Sequence, residues 1–403
     1  MKASAGSSPR RRTLIIVENL PVPFDRRVWQ ESRTLREAGY EVTVICPTGK
    51  GYDAKHEVID GIRIYRHKLP MEGNGALGYL IEYCWALFWQ LWLATKIYLK
   101  HGFDVIHACN PPDNIFLIAL PFKLRGVRFL FDHHDINPEL YEAKFGKQDF
   151  FYRVMLFWER CSFRFANASL ATNMSYRDIA INRGGMSPDK VTVVRSGPDT
   201  RRLKCVPPVP ALKNGRDYLV GYVGVMGQQE GIDLLLMSIR HIVYERKRED
   251  VQFILVGDGT ELPLLKSMAK DFAVEEFVSF TGRVPDQDLL EVLNTADVCV
   301  NPDRANEMND RSTMNKIMEY MALGKPIVQY DLTEGRFSAG ESSLYAAPND
   351  HADFADKILE LLDDPDARRK MGEFGHNRVV TELAWEYEAP KLLSAYDSLF
   401  GTS

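Results

Sequence analysis

Twice along this chain, short β-rich runs alternate with helical segments, and that double alternation restricts the fold to parallel sheets flanked by helices. In the first half, strands are expected at Thr13–Glu18, Glu41–Cys46, Asp104–Ala108, Val127–Phe131 and Ala168–Thr172, with helices such as Arg27–Ala38 and Asn114–Leu124 between them. Glu57–His67 reads as a hairpin turning at Asp60-Gly61. In the second half the strands are Leu219–Val223, Gln252–Val256, Phe277–Phe280, Val298–Asn301 and Ile327–Tyr330, and the helices include Ile232–Tyr244, Leu262–Asp271 and Gln287–Asn294. Between the halves, Ser196–Asp217 carries Pro198, Pro207, Pro208 and Pro210 with little periodicity, which marks a linker. Ligands of such sheets bind in the crevice at the carboxyl ends of the strands.

A length of 403 residues fits two domains better than one core. A net charge of −5 gives no general drive toward nucleic acid, so any basic surface must be local. The six cysteines, Cys46, Cys84, Cys109, Cys161, Cys205 and Cys299, form no C-x-x-C pair, which points away from zinc or a disulfide framework and toward a reducing cytosol. Arg10 to Arg12 precede only the short apolar run Thr13–Val17, so no signal peptide is expected.

Asp310–Asp331 carries the most chemistry. It reads as a helix that opens on small polar residues, holds Ser312, Asn315, Lys316 and Glu319 on one face, stops at Gly324 and feeds a strand through Pro326. The first turn of such a helix offers free N–H groups and the positive end of the dipole to a diphosphate. Glu319 lies two turns from Ser312, about 10 Å along the axis, which is the reach from a diphosphate to a ribose. The alternative is an amphipathic helix with a solvated polar face.

The opening Pro23-x-Asp25-x-Arg27-Val-Trp29 with Leu35-x-x-x-Gly39-x-Glu41-Val-Thr-Val-Ile45, then Phe131-Asp-His-His-Asp135, Val194-Arg-Ser-Gly-Pro-Asp199, Val256-Gly-Asp-Gly259, Phe280-Thr-Gly-Arg-Val284 and the helix ending Glu319-Tyr-Met-Ala-Leu-Gly-Lys-Pro326 occur in a fixed order. In this the chain resembles the retaining glycosyltransferases of family 4, in particular those that build surface polysaccharides. The resemblance runs from about Thr13 to Phe400 and implies the α/β GT-B fold, two Rossmann-like domains facing a central cleft. It places an acceptor-side domain at 1–200, completed by a returning C-terminal helix at 385–403, and a nucleotide-sugar-binding domain at 201–384. It implies no metal and no cofactor.

Two departures stand out. The family usually carries a Glu eight residues before the second Glu of its donor helix, and that position is Arg311, so the role falls to Asp310, Glu307 or Asp303 or is dropped. It also usually carries an Arg after the first C-domain glycine and a Lys five residues later, where this chain has Val225 and Glu230. Lys316, Arg311, Arg195 and the backbone of Gly224 to Gly227 are the candidates to hold the diphosphate instead.

Displacing a nucleoside diphosphate from an anomeric carbon needs stabilised leaving-group charge and a positioned acceptor hydroxyl. Lys316, with Ser312 and Thr313 beside it, is expected at the diphosphate, Glu319 at the ribose, and Arg283 and Val284 against the base. His134 matches the histidine that faces the donor sugar in relatives, with Asp135 orienting it or receiving the acceptor proton. Asn19, Asp25, Arg27 and Asn110 follow strands on the acceptor side, where helix capping is the competing explanation, and Asp113 shares that choice. Asp286-Gln-Asp288 also invites a metal, but after Pro285 it better suits a helix start.

The segment 78–99 places Trp85, Trp89 and Trp92 at helical spacing, with Tyr79, Tyr83, Phe88 and Tyr98, but Glu82 and Lys96 interrupt it too closely for a span. With 150–164, where Arg153, Arg160 and Arg164 sit among aromatics, it suits a membrane surface or else a buried helix. The expected function is transfer of a sugar from a nucleotide donor, a UDP-sugar, to a lipid-linked or polysaccharide acceptor, in the cytoplasm or at the inner face of the plasma membrane. The alternatives are a sugar-nucleotide 2-epimerase or hydrolase of the same fold, and a non-catalytic nucleotide-sugar-binding regulator.

Overall fold

The chain divides into two compact units, Met1–Ser196 with Glu388–Ser403, and Gly197–Tyr387. The structure, a computed structural model, describes residues 11–68 and 75–401, with the backbone alone over 75–84. Arg10 and the side chains of Tyr79, Glu82, Tyr83 and Cys84 lie outside the described residues.

The first unit is built on eight strands: β1 (Arg12–Ile16), β2 (Glu41–Pro47), β3 (His56–Ile59), β4 (Ile62–His67), β5 (Val105–Cys109), β6 (Arg128–His133), β7 (Ala168–Ala171) and β8 (Val191–Val193). Across the sheet they run β3-β4-β2-β1-β5-β6-β7-β8. Every neighbouring pair is parallel except β3 with β4, the hairpin expected at Asp60-Gly61. Asp60 and Gly61 have φ of 49° and 77°, the mirror-image turn that matches strand twist and that Asp-Gly adopts at low cost. Leu14, Ile15, Ile16, Val44, Ile45, Val105 and Ile106 are fully or almost fully buried, as unbroken apolar runs require of strands covered on both faces. The strand order reverses between β1 and β5, so Asn19 and Asn110 emerge beside the switch point.

The second unit has six parallel strands, β9 (Tyr218–Val223), β10 (Val251–Val256), β11 (Val278–Gly282), β12 (Val298–Asn301), β13 (Ile327–Tyr330) and β14 (Ser343–Ala346), in the order β11-β10-β9-β12-β13-β14. Its switch point lies between β9 and β12, where Gly224 and Asp303 follow the strands. The edge strands β8 and β14 have no counterpart among the strands expected from sequence. β8, at three residues, is too short for a period to register, and β14, Ser343 to Ala346, is only partly buried and carries no β-branched residue.

Two sequence expectations change. Ser196–Asp217 is not a free linker: from Gly197 onward it belongs to the second unit. Leu203 is buried in that unit's core, and the Val209 N–H donates to Thr295 Oγ1 (2.8 Å). The single helix expected across Ser312–Glu319 is two, Glu307–Arg311 and Asn315–Ala322, with Ser312 and Met314 extended between them. Ser312 Oγ donates back to the Met308 carbonyl (2.7 Å), the local bond by which serine competes with a continuing helix.

The last helix, Trp385–Ser398, completes the first unit. The fully buried Tyr396 hydroxyl lies 3.1 Å from Thr13 Oγ1 and 2.9 Å from His107 Nδ1, and Glu388 accepts from the Arg195 N–H at 2.9 Å.

Candidate functional site

In the first unit the polar residues gather where β5 and β6 end. Asn110, buried, stitches the two ends together: Oδ1 accepts from the N–H groups of His134 (2.6 Å) and Asp135 (3.2 Å), and Nδ2 donates to the Asp135 carbonyl (2.6 Å) and Asp113 (2.8 Å). Its hydrogen-bonding capacity is thereby spent on the loop rather than left for an acceptor.

His134 is oriented by Asp132, not by Asp135. Its Nε2 lies 2.6 Å from Asp132 Oδ2 and 3.0 Å from Arg27 Nε. One nitrogen cannot give a proton to a carboxylate and accept one from a guanidinium, and the shorter, charge-assisted contact wins, so Nε2 carries a proton toward Asp132 and Nδ1 is the nitrogen left for other partners. Asp135 is half-buried, and desolvation raises its carboxyl against the opposing pull of His134 and His133.

Arg27 is a buried brace and not an exposed acceptor contact. It donates to Asp132 Oδ1 (3.0 Å), the Val194 carbonyl (2.8 Å) and Ser196 Oγ (3.3 Å), and pairs with Glu31 at 3.1 Å. Burial disfavours its charge, but Asp132 and Glu31 outweigh that and hold it protonated. Asp132 follows the same balance: desolvation raises it, while Arg27 and His134 hold it well below the usual carboxylate range. Glu31, desolvated and beside Asp132, is pushed well above the usual carboxylate range against the pull of Arg27.

Glu31, Cys109, Asp132 and His134 bring four potential metal-ligand atoms within 4.8 Å of one another, a cluster hidden in sequence by spacings of up to 78 residues. The guanidinium of Arg27 already approaches three of them, and burial pushes the Cys109 thiol well up. A cation there would have to displace the Arg27 guanidinium and the Cys109 thiol proton, so this donor set does not fit a resident metal. Elsewhere, Asn19 is exposed and Asp25 caps the helix Arg26–Glu37 by accepting from the Val28 N–H (3.1 Å). Arg195 is buried in the first unit.

In the second unit, Lys316 is engaged from within. Its Nζ lies 2.8 Å from Glu230 and 2.9 Å from Asp303, and 5.0 Å above the Tyr222 ring. Burial disfavours its charge, yet the two carboxylates hold it well above the ordinary lysine value. Glu230, where the family pattern has a lysine, is thus the partner of Lys316. Desolvation pushes Asp303 up to about 7, Lys316 and Glu230 pulling in opposite directions, whereas Lys316 keeps Glu230 low against its own desolvation.

Glu319 accepts from Arg202 at 2.6 Å, and Arg202 also lies 3.4 Å from Asp286. Arg202 sits in the stretch that reads as linker, which is why sequence reasoning missed it. The helix carrying Glu319 starts at Asn315, exposed, and the side chain of Met314 before it makes no capping hydrogen bond. Ser312 and Thr313 stand before that turn rather than in it. Arg311 pairs with Glu307 at 2.7 Å, and Asp310 accepts from Thr333 through its N–H (2.8 Å) and hydroxyl (3.0 Å), bracing the next helix. Arg283 is exposed, and Val284 packs on the core. Asp286 and Asp288 occupy the first turn of the helix Asp286–Thr295, where negative charge suits the dipole.

The glycines of the Gly224–Gly227 loop answer first to the protein itself. A Cβ on Gly224 would overlap the Tyr222 hydroxyl, and one on Gly257 would overlap the Gly224 carbonyl. The loop is therefore packed flat against the turn after β10.

Residues 25–202 match the family described as Glycosyltransferase Family 4, and residues 217–364 the one described as Glycosyl transferases group 1. Sucrose-phosphate synthase from Thermosynechococcus elongatus has the same fold, with a TM-score of 0.81 at 19% identity over 98% of this chain and 100% of that one. Anabaena HepE in complex with UDP and glucose gives a TM-score of 0.72 at 16% identity, over 96% and 100%. The alpha-D-kanosaminyltransferase of Streptomyces kanamyceticus is 25% identical over 157 residues, 38% of this chain and 39% of that protein, so the match spans about two fifths of that relative. The fold is GT-B, and the chain belongs to the family 4 glycosyltransferases.

Proposed function

We propose that the enzyme is a retaining glycosyltransferase that moves a sugar from a UDP-sugar to a lipid-linked or polysaccharide acceptor. The observation that carries this reading is the helix start at Asn315, where Met314 supplies no side-chain cap, one turn ahead of Glu319, a carboxylate that Arg202 keeps at hand. Glu319 accepts the ribose hydroxyls and the first-turn N–H groups take the diphosphate. Lys316 contributes its charge only from behind Glu230 and Asp303, so Arg202, half-buried beside Glu319, supplies the positive charge that Val225 and Glu230 do not. HepE, solved with UDP and glucose, supports a uridine donor. In the first unit, His134, its Nε2 proton committed to Asp132, presents Nδ1 to the donor sugar, and Asp135 receives the acceptor proton.

Among the described residues no helix is long and apolar enough to cross a membrane. Peripheral contact at the inner face of the plasma membrane rests on the helix Phe150–Phe165, where Phe150, Phe151 and Phe157 are exposed beside Arg153, Arg160 and Arg164. The test is incubation of the protein with UDP-, GDP- and ADP-sugars and a polyprenyl-linked sugar, following both products. Glycan extension with release of UDP is the expected result, and epimerisation, hydrolysis alone or binding without turnover would overturn it.

A further inference from the structure

A cavity of about 730 Å³ opens in the first unit between the β3–β4 hairpin and the helix Gly75–His101. It lies well away from His134: β4 and β6 are four strand spacings apart in the sheet, roughly 19 Å. One wall is made by Trp85, Trp89 and Trp92, whose rings meet edge to face with centroids 6.1 Å and 5.4 Å apart. Trp85 and Trp92 are each 47% exposed, a high cost for side chains of this size unless something covers them.

Among the described residues the rim is mainly basic. Lys55, Lys68, Lys96 and Lys100 line it with one acid, Asp53, and the Lys96 ammonium stands 5.2 Å from the Trp92 ring centroid. At the floor lies His67, 4% exposed, whose ring nitrogens find no hydrogen bond of ordinary geometry among the described residues, although the Lys68 backbone approaches it. Burial lowers this imidazole to about 4, so at neutral pH it offers one donor and one acceptor rather than a charge.

Flat aromatic walls stack on the C–H faces of sugar rings, a neutral imidazole on the floor pairs with a hydroxyl, and a lysine rim holds carboxylate or phosphate. We propose that this cavity is a second carbohydrate site, which binds an anionic saccharide apart from the site of transfer. Its volume is that of a pocket for a small ligand, and its concavity distinguishes it from a surface that merely lies on lipid. It extends the acceptor reading given above, holding a distal part of a charged glycan, but binding to it does not depend on that reading.

The test uses the whole protein and calorimetry with a hyaluronan tetrasaccharide, uncharged maltotetraose, and phosphatidylglycerol vesicles. The expected result is that the tetrasaccharide binds, maltotetraose binds at least tenfold more weakly, and Lys96→Glu with Lys100→Glu lowers tetrasaccharide affinity at least tenfold while UDP affinity is unchanged. Both lysines are exposed, so the variant folds, and Trp89→Ala provides a second loss-of-binding check. No saccharide binding, equal binding by the lysine variant, or binding of vesicles alone would overturn the site. If the tetrasaccharide binds as expected and no sugar is transferred from any donor, the transfer reading fails and the site stands.

Discussion

Glu319 and Arg202 form a 2.6 Å charge-assisted bond in a part-buried setting, so the carboxylate is held in place before a nucleotide arrives. Replacing Glu319 by Gln should weaken UDP binding by about 1–3 kcal/mol, the scale of a hydrogen bond to a charged group, with the fold retained. Calorimetry on UDP checks this, and unchanged affinity would remove the ribose assignment. Lys316 calls for a different expectation. With its ammonium gone, Glu230 and Asp303 face each other without a counter-charge, so Lys316→Ala should cost about 3–5 kcal/mol of stability in urea unfolding. Loss of UDP binding in that variant would therefore report on folding unless Glu230→Gln and Asp303→Asn, made together with it, restore the midpoint. Asp303 adds a pH dependence. Its folded value of about 7 lies above the ordinary 3.8, so between these the folded state binds more protons than the unfolded one. The contribution of Asp303 is fully present below about pH 4 and lost as pH rises through 7. Asp303→Asn should flatten that decline by up to about 4 kcal/mol, read as the change in unfolding free energy between pH 4 and pH 8. Helix-face spacing and the family resemblance single out Glu319, and its place after a strand singles out His134, as candidates in the sequence. It hid Asp132, Arg202 and the pairing of Lys316 with Glu230, because contacts across 86 or 117 residues leave no local period.

At the scale of elements, the pattern of apolar runs located the hairpin and the strands named in advance, and the two it omitted are edge strands that are only partly buried. The helix expected through Ser312 was broken by a side-chain bond that propensity does not encode, and the proline-rich strap was read as free because prolines remove periodicity whether or not the backbone is packed. The hairpin turn gives an element-scale check. Gly61 has φ of 77°, a region that costs an L-residue about 1 kcal/mol, and its only near neighbour is the Arg36 side chain at 3.7 Å. Gly61→Ala should lower stability by about 1 kcal/mol without changing UDP binding, and a larger loss in urea unfolding would mean the turn is held by something beyond its backbone conformation.

At the scale of the molecule, the first unit is discontinuous in sequence, and the residues that finish it, Tyr396 and Glu388, reach Thr13, His107 and the Arg195 backbone. Removing residues 388–403 should strip the buried His107 of that partner and uncover Thr13. The truncated protein should then unfold at lower urea by circular dichroism, with tryptophan fluorescence from the first unit changing first. An unchanged transition would show that the last helix is dispensable.

That closing helix also imposes an order on the birth of the protein. The chain from Met1 to Ser196 leaves the ribosome some 192 residues before Glu388 is made, a wait of roughly 10–40 s at ordinary rates of synthesis. Through that interval the amino-terminal half is a nascent fold with its last piece not yet translated, while everything needed for the half that follows emerges as one uninterrupted stretch. The half made second can therefore complete its core first, while the half made first waits unfinished until Glu388 to Ser403 are made.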